Sequence, residues 1–145
     1  LKSPDFIQLL KESALHGKVV VLNFWFIACP PCRIKVTPLN ELVQQFTGKD
    51  VVFLSVAREK DRDLKKHLVV TPFLFPVIAD PNLKISRDIY HLFGYPTTVV
   101  IDRAGKIRYY SLGGKINEDD VRKEFKQKLE PVIYNCLAKT SRIKG

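Results

Sequence analysis

The eight residues Val19 to Phe26 read Val-Val-Val-Leu-Asn-Phe-Trp-Phe, and three positions on the chain continues Cys29-Pro30-Pro31-Cys32. The apolar run is too short to cross a bilayer and too continuous to form a sheet edge, so it predicts a buried central strand. The prolines cannot continue that strand. They fit the first turn of a helix, where backbone N–H groups have no intrahelical partner. The junction is therefore strand, short loop, helix, with Cys29 near the helix cap and Cys32 one turn on. In α/β sheets such strand ends gather functional residues.

The rest of the chain supplies the layers for such a sheet. Ser3 and Pro4 start a helix over residues 4–15, with Phe6, Leu9 and Leu10 at helical spacing. The helix after the cysteines runs to Phe46 and contains Pro38, which should bend it. Val51 to Ala57 reads as a strand, and Asp61 to Leu68 as a polar helix. A short strand, Phe75 to Ala79, precedes a helix from Asp80-Pro81-Asn82 to Leu92. Strands at Thr97–Ile101 and Lys106–Ser111 follow, and Asn117 caps a closing helix to Ala138, kinked at Pro131. With no repeat, linker or low-complexity tract, residues 1–145 form one α/β domain with a sheet covered on both faces.

A Cys-x-x-Cys at a helix start is a redox device, because orphan N–H groups and the helix dipole favour the thiolate that attacks disulfides. Cys29, nearer the helix start, is expected to be the exposed nucleophile and Cys32 the buried resolving thiol. Half of a zinc site is the competing reading. It needs two further ligands from Cys136, His16, His67 and His91, none of them paired at ligand spacing. Cys136 falls on one helical face with Val121, Phe125, Leu129 and Val132, which makes it a core thiol. The histidines default to the surface.

Two longer stretches resemble the TlpA-like branch of the thioredoxin superfamily, related to the AhpC/TSA-redoxin proteins. One is Val21-Leu22-Asn23-Phe24-Trp25 with Cys29-Pro30-Pro31-Cys32-Arg33 and Leu39-Asn40-Glu41-Leu42. The other is Gly94-Tyr95-Pro96-Thr97-Thr98 with Ile101-Asp102-Arg103-Ala104-Gly105-Lys106-Ile107. The resemblance implies a thioredoxin fold: a mixed central sheet flanked by helices, with an extra strand-helix insert at about residues 61–92, before the cis-proline strand. It implies a redox-active Cys29–Cys32 disulfide with no other cofactor, and a cis Tyr95–Pro96 bond facing it. Tyr95, Pro96 and Trp25 are then the substrate-contact candidates, although Trp25 and Phe26 read better as core and shield. Disulfide-containing proteins are the implied substrates, with an upstream thiol donor. The implied place is extracytoplasmic, periplasmic or tethered to a membrane by an anchor outside this chain, often in cytochrome c maturation. The chain opens on Leu1, which reads as a processed or trimmed product.

Three departures matter. Ala28 stands where the family often has Trp, Lys35 where it often has a Glu thought to move protons, and Pro38 one place later than its usual proline. Asn23 replaces the buried Asp of thioredoxin itself. Lys35 and Arg33 are expected to point to solvent, which leaves Glu59 as the candidate for proton transfer, against a plain solvated carboxylate.

Two other functions compete with a disulfide reductase. A peroxiredoxin-like thiol peroxidase fits Phe75-Pro76-Val77-Ile78-Ala79-Asp80-Pro81 but needs a hydroxyl where Phe26 stands. A copper carrier of this fold needs Cys-x-x-x-Cys and a distant His, and the chain has no Met to offer a thioether. The net charge of +9 is spread along the chain and interleaved with acids, with no nucleic-acid motif. It suits steering of acidic partners better than binding of nucleic acid.

Overall fold

A computed structural model describes Leu15 and residues 17–139. The helix expected over residues 4–15 and His16 therefore lie, Leu15 apart, outside the described residues. β1 (Val19–Trp25) is buried at all seven positions, as its continuous apolar sequence requires. It pairs in parallel with β2 (Val51–Ala57), from Val19 opposite Val51 to Trp25 opposite Ala57. On its other side it pairs antiparallel with β4 (Thr97–Ile101), from Val20 opposite Ile101 to Phe24 opposite Thr97. β3 (Val77–Ala79) and β5 (Ile107–Leu112) form the edges, giving the order β3-β2-β1-β4-β5. The result is the expected thioredoxin fold with a mixed sheet and a strand-helix insertion.

The period-2 alternation of β1 divides the core. Val19 and Val21 face α1 (Pro30–Gln45), in one cluster with its Leu39 and Leu42, with Phe46 that caps it, and with Phe125, Leu129 and Ile133 from the C-terminal helices. Val20, Leu22 and Phe24 face the opposite way, onto Ile78, Ile85, Val99 and Ile101. A third cluster, at the carboxyl end of β1, holds Trp25, Cys29, Cys32, Ala57, Ala79 and Leu64 of α2 (Asp61–Val70).

Several boundaries differ from the sequence reading, and in three elements the local reason is plain. β3 begins at Val77 because Pro76 has no N–H for the ladder; its carbonyl accepts from Ser55 N–H at 2.9 Å instead. β5 begins at Ile107 because Lys106 belongs to the preceding turn, its N–H held by Asp102 Oδ1 at 2.9 Å. The helix expected from Asp80 to Leu92 is a single π-helical turn, Lys84–Ile89. Leu83, at φ 58°, cannot belong to a right-handed helix, and the buried Asp80 carboxylate holds the N–H groups of Ile85 and Ser86.

The closing helix comes in three pieces: α3 (Glu118–Glu124), a π-helical stretch Phe125–Leu129, and α4 (Glu130–Ala138). Asn117 caps it, its Oδ1 accepting from Asp120 N–H at 2.8 Å. Pro131 cannot bond the carbonyl four residues back and crowds it. The wider π turn lies just ahead of the proline, and it slips the helical phase. Ile133 is fully buried where Val132 was expected, and Val132 is only partly covered.

Candidate active site

The loop from β1 to α1 is tied at both ends. Cys29 N–H donates to the Phe26 carbonyl at 3.3 Å, and Arg33 N–H to the Cys29 carbonyl at 3.1 Å. Cys29 is the cap of α1, with extended backbone, and Pro30 and Pro31 occupy the first helical positions. The two cysteines are joined in a disulfide with Cα atoms 5.2 Å apart. Cys29 Sγ also accepts from Cys32 N–H at 3.3 Å, the first N–H that the prolines leave available.

The expectation of an exposed Cys29 over a buried Cys32 does not hold in this disulfide form. Cys29 is 2% and Cys32 3% exposed. Both cysteines belong to a buried cluster with Trp25, Ala57, Leu64 and Ala79, while Ala28 and Pro30 beside Cys29 stand in solvent.

The Tyr95–Pro96 bond is cis, and Pro96 is buried at the head of β4. Its carbonyl accepts from Gly113 N–H at 2.8 Å, which ties the proline loop to the end of β5. Gly114 lies directly against the motif. A Cβ added there would stand 2.9 Å from Pro31 Cβ, so only glycine permits this approach. Neither Gly113 nor Gly114 stood out in the sequence, because their role depends on what β5 brings them against.

Residues 7–128 match the Redoxin family. The chain belongs to that family. This redoxin is 33% identical to the thiol-disulfide oxidoreductase ResA of Bacillus thuringiensis over 124 residues, covering 81% of this chain and 71% of that protein. Among solved structures it resembles a DsbE-type thiol:disulfide interchange protein of Chlorobium tepidum, with TM-score 0.71, 26% identity and 83% and 84% of the two chains covered. It also resembles the exposed lipoprotein thioredoxin Etrx1 of Streptococcus pneumoniae, with TM-score 0.63, 27% identity and 79% and 88% covered. It is a thiol–disulfide oxidoreductase of the thioredoxin superfamily, related to TlpA, DsbE and ResA, with Cys29 and Cys32 as its redox pair acting through a mixed disulfide.

Around that pair the redoxin places its other candidates as follows. Trp25 is 4% exposed, donates from Nε1 to Ser55 Oγ, and packs on Phe73 and His67. It shares the buried cluster of the two cysteines, in keeping with a shield. His67 is accordingly half-buried rather than a surface residue. Tyr95 is half-buried, its hydroxyl within 3.3 Å of Ser86 Oγ and its ring edge-on to Phe26. The Arg58 guanidinium lies 3.8 Å from the Phe26 ring centre and 5.5 Å from that of Tyr95, a stacked rim beside the cis-proline. Phe26 carries no hydroxyl to activate a peroxide. Among the described residues no group of three or more His, Cys, Asp or Glu could hold a metal.

Glu59 is not a solvated carboxylate. Its Oε2 accepts Ile27 N–H at 3.0 Å, and Oε1 is buried without a hydrogen-bond partner. It clamps the loop that carries Cys29.

Lys35 also departs from expectation. It does not reach solvent. It is 2% exposed, and its Nζ lies 2.9 Å from Thr98 Oγ1 and 5.8 Å from the Phe125 ring centre. Burial lowers its pKa from 10.5 to about 8, opposed by the negative charge of Glu124. Arg33 does lie at the surface, with Nε donating to the Ile27 carbonyl at 3.1 Å. The structural reason for the difference is helix phase: Lys35 shares the inward face of α1 with Cys32, Leu39 and Leu42.

Proposed function

We infer that this redoxin works as a reductant of protein disulfides, with Cys29 attacking and Cys32 resolving. What supports this most directly is the cap of α1. The two prolines leave the Cys29 sulfur one backbone donor, Cys32 N–H at 3.3 Å, and no histidine stands between the cysteines. Strongly oxidising relatives of this chemistry owe their potential to a heavily stabilised thiolate in the reduced form. Sparse donors at Cys29 imply a weaker thiolate and a more reducing couple. Arg33 spends its Nε on the Ile27 carbonyl at the surface, where screening weakens its charge.

The cis-proline loop serves as the substrate contact, with Tyr95, Pro96 and the Arg58–Phe26 stack around the cysteine pair. An extended segment carrying the target disulfide is the fitting substrate, and a dithiol protein the upstream donor. An extracytoplasmic setting accords with the likeness to ResA, DsbE and the exposed lipoprotein Etrx1. No helix among the described residues is long and apolar enough to cross a membrane.

Equilibration with glutathione buffers, read by alkylation, measures the couple. The expected potential lies nearer the ~−270 mV of thioredoxin than the ~−120 mV of strong oxidants. A value above about −180 mV, the level of disulfide isomerase, would make the protein an oxidant or isomerase instead. Cys32→Ser should trap substrates as mixed disulfides on Cys29. Trapping on Cys136 would refute the assignment.

A further inference from the structure

The disulfide chemistry moves protons as well as electrons, and the groups named so far leave that task open. Glu59 is bound to the loop backbone, and Asn23 cannot titrate. A buried ionisable side chain lies on the inward face of the helix that the motif opens. Lys35 lies one turn after Cys32 on the same buried face of α1. Helical side chains lean toward the helix N-terminus and cover the turn before their own Cα, so the stem of Lys35 runs toward Cys32.

The pocket around its amine is polar but sparsely filled. Thr98, 1% exposed, takes one of the three donors of an ammonium group at 2.9 Å. Asn23 lies directly opposite Thr98 in the β1–β4 ladder, is 2% exposed, and its Oδ1 has no hydrogen-bond partner. The groups facing Lys35 include one carboxylate, Glu124 of α3, itself paired with Lys115 at 3.2 Å. Phe125 presents a ring. On its own helix Cys32 shares its buried face, from β4 Thr98 meets it, and Asn23 of β1 stands opposite Thr98 in the ladder. Such a site stabilises neither the charged nor the neutral amine strongly, which suits a group that must pass between them.

We propose that Lys35 carries the proton of the Cys32 thiol, taking it up as a neutral amine during resolution and returning it as an ammonium during re-reduction. In resolution the amine takes H⁺ from Cys32 Sγ, and the resulting thiolate attacks Cys29 Sγ. The Cys29–Cys32 bond forms, the bond from Cys29 to the substrate breaks, and the substrate sulfur leaves with the electron pair. Two electrons pass to the substrate, whose thiolate then takes a proton from solvent. In re-reduction a donor thiolate attacks Cys29, Cys32 leaves as a thiolate, and the ammonium protonates it. The amine, poised at about 8, is matched to a thiol whose ordinary value is about 8.5. A lysine thus fills the place where the related proteins often carry a carboxylate, with the opposite charge and the same capacity to exchange one proton.

The proposal rests on Cys29 attacking and Cys32 resolving, and its test separates the two steps. Reduced protein is mixed with oxidised glutathione, quenched in acid at intervals, and resolved by mass spectrometry into the glutathionyl form and the Cys29–Cys32 disulfide. Lys35→Met should form the mixed disulfide at the wild-type rate and close the ring roughly tenfold or more slowly at neutral pH. Its closure rate should follow the ionisation of the Cys32 thiol alone, without the further inflection near pH 8 expected of wild type. Lys35→Gln can still donate to Thr98 but has no exchangeable charge state, so it should match Lys35→Met. Should Lys35→Gln close with the wild-type rate and profile, Lys35 is a structural donor to Thr98 and the proposal falls. It falls equally if both variants behave as wild type with glutathione on Cys29. Glutathione found on Cys32 in the wild-type protein would overturn the division of labour, and this proposal with it.

Discussion

The two ends of β4 bury charge in contrasting ways. Beyond its last residue, Asp102 is 6% exposed, and its Oδ1 accepts the N–H groups of Ala104 and Lys106, each at 2.9 Å, while Oδ2 pairs with Arg108. Burial alone would push that carboxyl up, yet Arg108 and the two backbone donors together hold it below the usual range. At the other end, beside the redox pair, Lys35 is buried more deeply with one hydrogen bond, near an Asn23 oxygen that has none. The same strand therefore ends once in a fully paired carboxylate and once in an underpaired amine. The paired end stabilises a turn. The underpaired end carries a cost, and such costs are tolerated where a group must change its charge state.

The largest effect should come from breaking the paired end. Asp102→Ala strips two backbone donors and Arg108 of their acceptor, and should cost about 3 kcal/mol in chemical denaturation. Disulfide reductase activity at a permissive temperature should stay near wild type, because the turn lies at the far end of β4 from the cysteines. Unchanged stability would show that the turn is held by its backbone alone.

Removing the cost at the other end should have the opposite sign. Lys35→Met replaces a buried charge by an apolar chain of similar length, and should raise stability by about 2 kcal/mol at pH 7. The gain should shrink with rising pH, for a reason that follows from linkage. The folded-state pKa of Lys35 is lowered, from 10.5 to about 8. Between those values the unfolded chain binds a proton that the folded chain does not, so wild-type stability rises with pH across that window. Below about 8 the full penalty for burying the ammonium is present. Unfolding of both proteins at pH 7 and 9.5 checks this, and a constant difference would mean that Lys35 is not the titrating group.

The sequence made the paired architecture legible and the underpaired group illegible. The central strand and the helix start at Pro30-Pro31 rest on residues whose backbone demands are nearly unique. The cis Tyr95–Pro96 bond was legible only through the resemblance of its flanking motif, because proline by itself favours trans. Lys35 was read as a surface charge because lysine almost never lies fully buried without a partner. Its position on the inward face follows from the phase set at Pro30, which Cys32 and Leu39 already mark. Glu59 stands out in the sequence, but its hold on the loop is hidden for a different reason. Its partner, Ile27 N–H, is 32 positions away, and only the parallel pairing of β1 with β2 brings the two together. The closing helix shows the limit of periodicity itself, since one π-helical stretch exchanged Val132 for Ile133 in the core.

The smallest effect, and the finest test of the contrast between the two ends, concerns Cys136. It is 4% exposed, in the cluster of Leu129, Ile133 and Val19, far along α4 from the redox pair. Burial, with the nearby Asp102 charge, raises its thiol pKa, so little reactive thiolate forms. Alkylation of the reduced native protein should therefore spare Cys136 while the active-site thiols are labelled. Cys136→Ala removes one sulfur from a packed site next to the paired Asp102 end. It should lower stability by about 1 kcal/mol, as small core truncations do, and leave turnover unchanged. Because Asp102 and Arg108 both act on the Cys136 thiol, the loss from Cys136→Ala and Asp102→Ala together should be less than the sum of the two, as for neighbouring residues that share a partner. Strict additivity would mean that the thiol packs independently of the turn. Loss of turnover at unchanged stability would place Cys136 in the redox path and end its reading as a core residue.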